Sequence, residues 1–195
     1  MRSLALSVLL LGAAPAAAEV ELSFYGGWAG APDGAVTLSG DATLPEGEAA
    51  AEAGAQAGLR ATYWSESGFG VALDYSRFDR GEGAAVGDTA FGDLSTLTLN
   101  GMRRFEDALD GVTPYVGAGL GIAAADLEAG GTTAEASGPA VSWVAGASVP
   151  LGDNWSVFGE YEGTYADIKG ETSGGGTLES DTVTNSVNLG VSFSF

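Results

Sequence analysis

The chain has 195 residues, 26 acidic and 7 basic side chains, and a formal net charge of −19. It contains no histidine and no cysteine, which excludes disulfides, thiolate chemistry, histidine-activated nucleophiles and histidine- or cysteine-ligated metals. Nucleic acid is excluded as a partner because this charge would be repelled by phosphate. The length predicts one domain with a sizeable core, and the hydrophobic content of 45% excludes a disordered acidic chain.

The N-terminal segment has the pattern of a cleaved signal peptide. A basic start is followed by an apolar run over 4–11, and three alanines supply the small residues of a cleavage site. We therefore expect cleavage between Ala18 and Glu19, with residues 1–18 as the signal peptide and residues 19–195 as the exported domain. An uncleaved anchor helix is the alternative reading of this segment.

The remaining chain alternates apolar and polar residues with the period of a β-strand. In the last segment, 183–195, the odd positions are apolar apart from Asn185, and the even positions are small or polar. This segment exceeds the length of about 5–6 residues usual for soluble strands and is long enough, at about 9–11 residues, to cross a membrane. Seven other segments show the same alternation: 20–28, 55–64, 69–78, 94–104, 113–124, 139–149 and 155–168.

The connections between these segments alternate in length. Four are long (29–54, 79–93, 125–138 and 167–181), and three are short (65–68, 105–112 and 150–154). Transmembrane β-barrels have this arrangement, with long outer loops and short periplasmic turns. The sequence therefore predicts an all-β fold, an eight-stranded antiparallel up-and-down transmembrane barrel with both termini on the periplasmic side.

The composition of the two strand faces favours a membrane barrel over a soluble one. One face carries Leu, Val, Phe, Tyr and Trp, which lipid accepts, while the other carries mostly Gly, Ser, Thr and Ala, which fit a narrow lumen. A soluble lipocalin-like barrel is the alternative, and the strand lengths and loop asymmetry argue against it. Aromatic residues near strand ends are the expected interfacial girdles: Trp28, Tyr63, Trp64, Tyr165 and Phe195.

A signal peptide, eight alternating strands and a last strand ending NLGVSFSF resemble the small Gram-negative outer-membrane β-barrel proteins. The segment TPYVGAGLGIA is also similar to the fifth strand of that family. The resemblance implies a location in the cell outer membrane, in contact with its lipid and with lipopolysaccharide. We expect the barrel to be a monomer. The resemblance also implies that Phe193 and Phe195 form the terminal aromatic signal read by the barrel-assembly machinery.

A narrower resemblance concerns a lipid A oxidase-like subgroup of these barrels. The pieces ELSFYGGWAGAP, GLRATYW, GFGVALDYS and NWSVFGEYEGTY are similar to that subgroup, whose members oxidise the proximal sugar of lipid A with dioxygen. The subgroup carries histidines after an Ala-Pro pair in the first loop and near the end of strand three. This chain reads APDG and DYSR in those regions, so the similarity carries over the barrel and not the chemistry.

Most of the acidic side chains fall in the four long connections. A solvated anionic outer surface is the simpler interpretation, and weak divalent cation binding is the alternative, because hard cations prefer carboxylate oxygens. Asp33, Asp79 and Asp88 are the candidate ligands for such a cation. No fixed-spacing calcium loop is present in the sequence, so we expect no tightly held cofactor.

Several ionisable or amide side chains fall on the face that points into the predicted lumen: Arg60, Asp74, Asn100, Glu160 and Glu162. Ionised groups inside a packed barrel need partners, which predicts an ion pair of Arg60 with Asp74 or Glu160. The alternative is that Glu160 and Glu162 work as an acid–base pair of carboxylates.

The function predicted from these observations is a structural or surface-interaction role without an open pore. A divergent lipid A-modifying enzyme is the second hypothesis and a porin the third. The sequence leaves the facing of Arg103 and Arg104 open.

Overall fold

The computed structural model describes residues 19–30, 36–39, 53–79, 89–106, 108–129, 132–172 and 176–195. Residues 1–18 lie outside this set, so the signal peptide and its cleavage after Ala18 stay predictions. The described residues form nine strands: β1 (Glu19–Ala29), β2 (Val36–Ser39), β3 (Gly54–Trp64), β4 (Phe69–Asp79), β5 (Thr89–Arg104), β6 (Thr113–Ala129), β7 (Thr132–Pro150), β8 (Trp155–Thr172) and β9 (Thr177–Ser194).

Eight of these strands close into an antiparallel barrel. The order is β1-β3-β4-β5-β6-β7-β8-β9, and β9 pairs back onto β1 from Glu21↔Ser194 to Ala29↔Ser186. The short β2 adds to the outer end of β9, where Leu38 lies opposite Leu178. The predicted eight-stranded up-and-down barrel is confirmed, and β2 is an element that the sequence pattern did not reveal. Among the described residues, no apolar helix has the length needed to cross a membrane.

The strands on one side of the barrel continue further outward than predicted. β6 and β7 pair as far as Ala129↔Thr132, through the predicted loop 125–138, and β8 and β9 pair as far as Glu171↔Thr177. The apolar alternation ends before the strands do. Outward-facing residues need to be apolar only where they meet lipid, whereas backbone hydrogen bonding between the strands continues beyond the membrane. The predicted boundaries of these two loops are therefore wrong, and both connections are mostly extended hairpins.

The barrel is apolar outside and mixed inside. Leu189 is 72% exposed on β9, while Ser192 on the opposite face is buried and shares a hydrogen bond of 2.9 Å with Ser23. Trp28 and Tyr63 are exposed as expected of girdle residues, but Trp64 is only 4% exposed and faces the lumen. Neighbouring residues of a strand face opposite sides, so Tyr63 and Trp64 cannot both contact lipid.

The lumen contains bulky apolar side chains in addition to the small and polar residues expected from the sequence. Towards the outer end, Phe78, Leu94 and Ile168 form a buried apolar layer with six alanines. Towards the periplasmic end, aromatic and aliphatic side chains form a second buried group: Tyr25, Trp64, Ala72, Met102, Tyr115, Val144 and Phe158. Tyr25, Tyr115 and Phe158 of the second group surround the charged side chains of the lumen described below.

Candidate functional site in the barrel lumen

The lumen contains a buried ion-pair cluster centred on Arg60. Arg60 on β3 lies directly opposite Asp74 on β4 in the strand register, and its Nε donates to Asp74 Oδ2. Its Nη1 and Nη2 donate to Glu160 Oε2 and Oε1 on β8, at 2.8 and 2.9 Å. All three side chains are buried, and the fork of the guanidinium joins strands on different sides of the barrel.

Two tyrosines complete the coordination of the carboxylates. The Tyr25 hydroxyl donates to Asp74 Oδ1 at 2.6 Å, and the Tyr115 hydroxyl donates to Glu160 Oε2 at 2.7 Å. The ring of Tyr25 also lies 5.3 Å from the Arg60 guanidinium carbon, and the edge of Phe158 packs against both tyrosine rings. Burying these ions is costly, and the extra hydrogen bonds are what makes such a cluster tolerable. We call Arg60, Asp74, Glu160, Tyr25 and Tyr115 the charged plug.

Glu162 belongs to a separate network. Its Oε2 accepts hydrogen bonds from Gln56 Nε2 at 2.8 Å and from Asn188 Nδ2 at 3.0 Å, and no described cation forms an ion pair with it. Both oxygens of Glu160 are meanwhile taken by Arg60. The two carboxylates therefore have different partners, and the arrangement does not support the acid–base pair considered from the sequence.

Asn100 lies in a third network, apart from the plug. It donates to Thr98 Oγ1 at 2.9 Å and accepts from Ser142 Oγ at 2.5 Å. Tyr25 and Asn188 are not among the candidate site residues chosen from the sequence, although the alternation of the last strand already places Asn188 on the polar face. Their position in the alternation carries the signal, because Tyr25 follows the outward-facing Phe24 and Asn188 precedes the outward-facing Leu189.

The two arginines at the end of β5 face opposite ways. Arg103 points outward, donates to the Ser67 carbonyl and lies 4.4 Å from the Phe69 ring centroid. Arg104 points inward, where its Nη1 lies 2.6 Å from Glu19 Oε2 and its Nε 2.6 Å from Glu106 Oε1. This pairing places Arg104 across the periplasmic mouth of the lumen.

The outer hairpins carry a row of acids on their outward face, all exposed except the half-buried Asp167. We call this row the acidic wall: Glu135, Asp167, Glu171, Glu179 and Asp181. The register sets Glu135 opposite Glu171 and Asp167 opposite Asp181, while Lys169 lies opposite Glu179 with their charged atoms 3.4 Å apart. The negative charge of Glu179, and to a smaller extent that of Asp167, raises the pKa of Lys169 above its ordinary value.

Two of the three carboxylates expected to hold a cation, Asp33 and Asp88, lie outside the described residues, and Asp79 ends β4. Within the described ranges, no group of three or more acidic side chains is placed to hold a metal ion.

The C-terminal aromatic residues stack at the periplasmic edge. The ring of Phe193 lies 4.9 Å from Trp155 and 4.8 Å from Phe195, in edge-to-face contacts. The Phe195 backbone N–H donates to the Val20 carbonyl at 2.9 Å, and its side chain is 68% exposed. The seam between the first and last strands therefore ends at an exposed aromatic side chain, Phe195, which packs on the half-buried Phe193.

A family model for the outer membrane protein beta-barrel domain matches residues 3–195. The chain belongs to this family. Neisserial surface protein A has the same fold, with 19% sequence identity, a TM-score of 0.61, and an alignment that covers 91% of this chain and 97% of that one. The outer membrane protein OprG from Pseudomonas aeruginosa also has this fold, with 18% identity, a TM-score of 0.61, and coverage of 90% of this chain and 95% of that one. The N-terminal β-barrel domain of Pseudomonas aeruginosa OprF is similar too, with 16% identity, a TM-score of 0.56, and coverage of 91% of this chain and 97% of that one.

No functionally curated protein matches the chain. At these identities the solved structures establish the fold alone, whereas the family establishes an outer-membrane location. The finer resemblance to lipid A oxidase-like proteins stays a prediction.

Proposed function

We propose that this outer-membrane barrel is closed to solutes and acts through its outer surface. The observation that carries the proposal is the charged plug, in which Arg60 joins β3, β4 and β8 across the lumen. Eight-stranded barrels have interiors just wide enough to be filled by side chains. A plug whose donors and acceptors are already satisfied has no hydrogen bonds to exchange with a passing solute.

A second barrier of different chemistry supports the same proposal. Phe78, Leu94 and Ile168 form the buried apolar layer between the plug and the outer end. An ion that passed the plug would then lose its hydration against these side chains, which is costly. Charge neutralisation within the plug would therefore not be enough to produce a conducting pore.

The acidic wall supports a role at the cell surface. It lies on the outward face just beyond Tyr161 and Tyr165, whose exposed rings suit the level where membrane meets water. At that height the lateral neighbours of an outer-membrane protein are the phosphate-bearing sugars of lipopolysaccharide. Two anionic surfaces repel each other unless cations bridge them, and divalent cations accept carboxylate and phosphate oxygens together. We therefore propose lipopolysaccharide, bridged by weakly bound divalent cations, as the partner of the wall.

The barrel is proposed to act as a monomer. The pairing of β9 with β1 leaves the membrane-spanning strands without a free edge, and a closed sheet offers no template for adding another chain.

Lipid A chemistry is the alternative function, and it rests on the resemblance of strand segments. Comparing lipid A by mass spectrometry from cells with and without the protein separates the two hypotheses. Identical lipid A supports the surface role, and a mass change in the proximal sugar supports the enzyme.

The closed lumen is tested by solute flux into proteoliposomes. Vesicles that contain the purified barrel should swell in a small sugar no faster than empty vesicles, while vesicles with a general porin swell readily. Protein-dependent swelling in arabinose would refute the proposal.

A further inference from the structure

A cavity opens at the periplasmic end of the barrel, on the opposite side of the plug from the acidic wall. Its volume is about 320 Å³, which falls within the range of roughly 300–1,000 Å³ typical of small-molecule sites. Arg60, Tyr115 and Phe158 line its inner end, while Glu21 of β1 and Asp153 of the β7–β8 turn line its mouth. We call this cavity the vestibule.

The charges around the vestibule are unbalanced. Four acids line it (Glu19, Glu21, Glu106 and Asp153), and Arg104 is the basic residue at their level. Arg104 already pairs with Glu19 and Glu106, and its guanidinium carbon lies 4.9 Å from the Trp64 ring centroid.

Glu21 and Asp153 are thus left without an ion pair among the described residues. Glu21 is half-buried, and its carboxylate accepts one long hydrogen bond, of 3.3 Å, from Ser23. A half-buried carboxylate with so few partners strongly favours a cation beside it.

The walls of the vestibule also contain unused polar capacity. Thr62 is buried, lines the cavity, and its Oγ1 has no hydrogen-bond partner in the described structure. The indole N–H of Trp64 also lacks a partner among the described residues, but it is a donor and would need an acceptor, not a cation. Buried polar groups are almost always satisfied in folded proteins, so the Thr62 oxygen, which lies directly opposite Glu21 in the strand register, points to a donor that completes the site. Met102 and Phe158 add apolar surface between the polar groups.

We propose that the vestibule binds a small organic dication, with two ammonium groups joined by a short alkyl chain. One ammonium pairs with Glu21, and the other pairs with Asp153 across the mouth. The alkyl chain lies against the apolar side chain of Met102, which a bare metal ion would leave uncovered. The site is independent of the closed lumen proposed above, because its ligand enters from the periplasm and stops at Arg60.

The test uses tryptophan indole NMR on the barrel purified from outer membranes into detergent. The four tryptophans give four indole N–H resonances, which single Trp→Phe variants assign. Titration with 1,4-diaminobutane at constant ionic strength should shift the resonance of Trp64, which is buried in the lumen wall and lines the vestibule, in a saturable way. Trp28, which lies on the lipid face, should not move. The absence of a saturable Trp64 shift would overturn the proposal.

Variants and other cations define the specificity of this site. Glu21→Gln should weaken binding about tenfold, the effect expected of losing one charge-assisted contact. Asp153→Asn should have the same effect, and because Asp153 lies on an exposed turn this variant does not disturb the fold. Asp110→Asn removes the same charge from an exposed turn at the same end of the barrel, outside the vestibule lining, and should leave binding unchanged. Butylamine should bind more weakly than the diamine. Wild-type affinity for the diamine in both Glu21→Gln and Asp153→Asn, or tighter binding of MgCl₂ than of the diamine, would contradict the assignment.

Discussion

Replacing Arg60 by Met removes the guanidinium while it keeps most of the aliphatic stem, so the charged plug loses its cation with little loss of packing. Asp74 and Glu160 then remain buried, each at 4% exposure, and each keeps one tyrosine hydrogen bond, of 2.6 and 2.7 Å. Removing one partner of a buried ion pair typically costs about 3–5 kcal/mol. Because Arg60 serves two carboxylates through three nitrogen atoms, we expect a loss of about 5 kcal/mol in the free energy of unfolding.

The measurement is reversible urea unfolding of the barrel in lipid vesicles, followed by tryptophan fluorescence. A triple variant that combines Arg60→Met with Asp74→Asn and Glu160→Gln separates the lost pair from the stranded charges. It should recover most of the stability lost in Arg60→Met, because Asp74 and Glu160, which lose their cation, no longer carry a charge. Lys169→Met, which removes an exposed cation from the outer hairpins, is the control and should have no measurable effect. A loss below about 1 kcal/mol in Arg60→Met, or no recovery in the triple variant, would refute the role assigned to the plug.

Three further predictions follow from the fold and from the composition. Deletion of Phe195 should reduce outer-membrane accumulation and heat-modifiable gel mobility, because it removes the exposed terminal aromatic; unchanged assembly would exclude Phe195 from the assembly signal. Leu189→Arg should cost about 2–4 kcal/mol if this residue meets the bilayer middle, whereas Ser192→Arg should be limited by space in the lumen, and equal tolerance of both would contradict the facing. The purified barrel should neither hydrolyse the acyl chains of lipid A nor oxidise its sugar, with or without added iron or manganese, because the chain lacks a histidine base; metal-dependent turnover lost in Asp79→Ala would overturn this expectation.

The alternation of side chains predicted the barrel because membrane and lumen impose opposite chemistry on successive residues. The same alternation put Arg60, Asp74 and Glu160 on the lumen face. It could not decide between Asp74 and Glu160 as the partner of Arg60, since this choice depends on register between strands and on distances across the barrel. The structure brings Arg60 to both, because a guanidinium has enough donors for two carboxylates.

Other features depended on information that side-chain periodicity does not carry. The outer ends of β6–β9 continue as hairpins after the apolar pattern has ended, because backbone pairing there no longer requires a lipid-facing side. The position of Trp64 near a strand end predicts a place at the lipid interface, whereas its place in the alternation puts it in the lumen, where the structure has it. The facing of Arg104 became clear only from its contacts with Glu19 and Glu106.

The vestibule was invisible in the sequence for a related reason. Its lining comes from the periplasmic ends of many strands and from two turns, which are distant along the chain. Only barrel closure brings Glu21 and Asp153 to the same mouth.

Single-channel recording across a planar lipid bilayer tests the central claim, a lumen closed by the Arg60 plug, most directly. The purified wild-type barrel, inserted in 1 M KCl, should give no stable conductance steps, and the triple variant of Arg60, Asp74 and Glu160 should also stay silent because the layer of Phe78, Leu94 and Ile168 remains. Reproducible, long-lived steps from the wild-type protein would contradict the account, since they require a continuous water path through the plug.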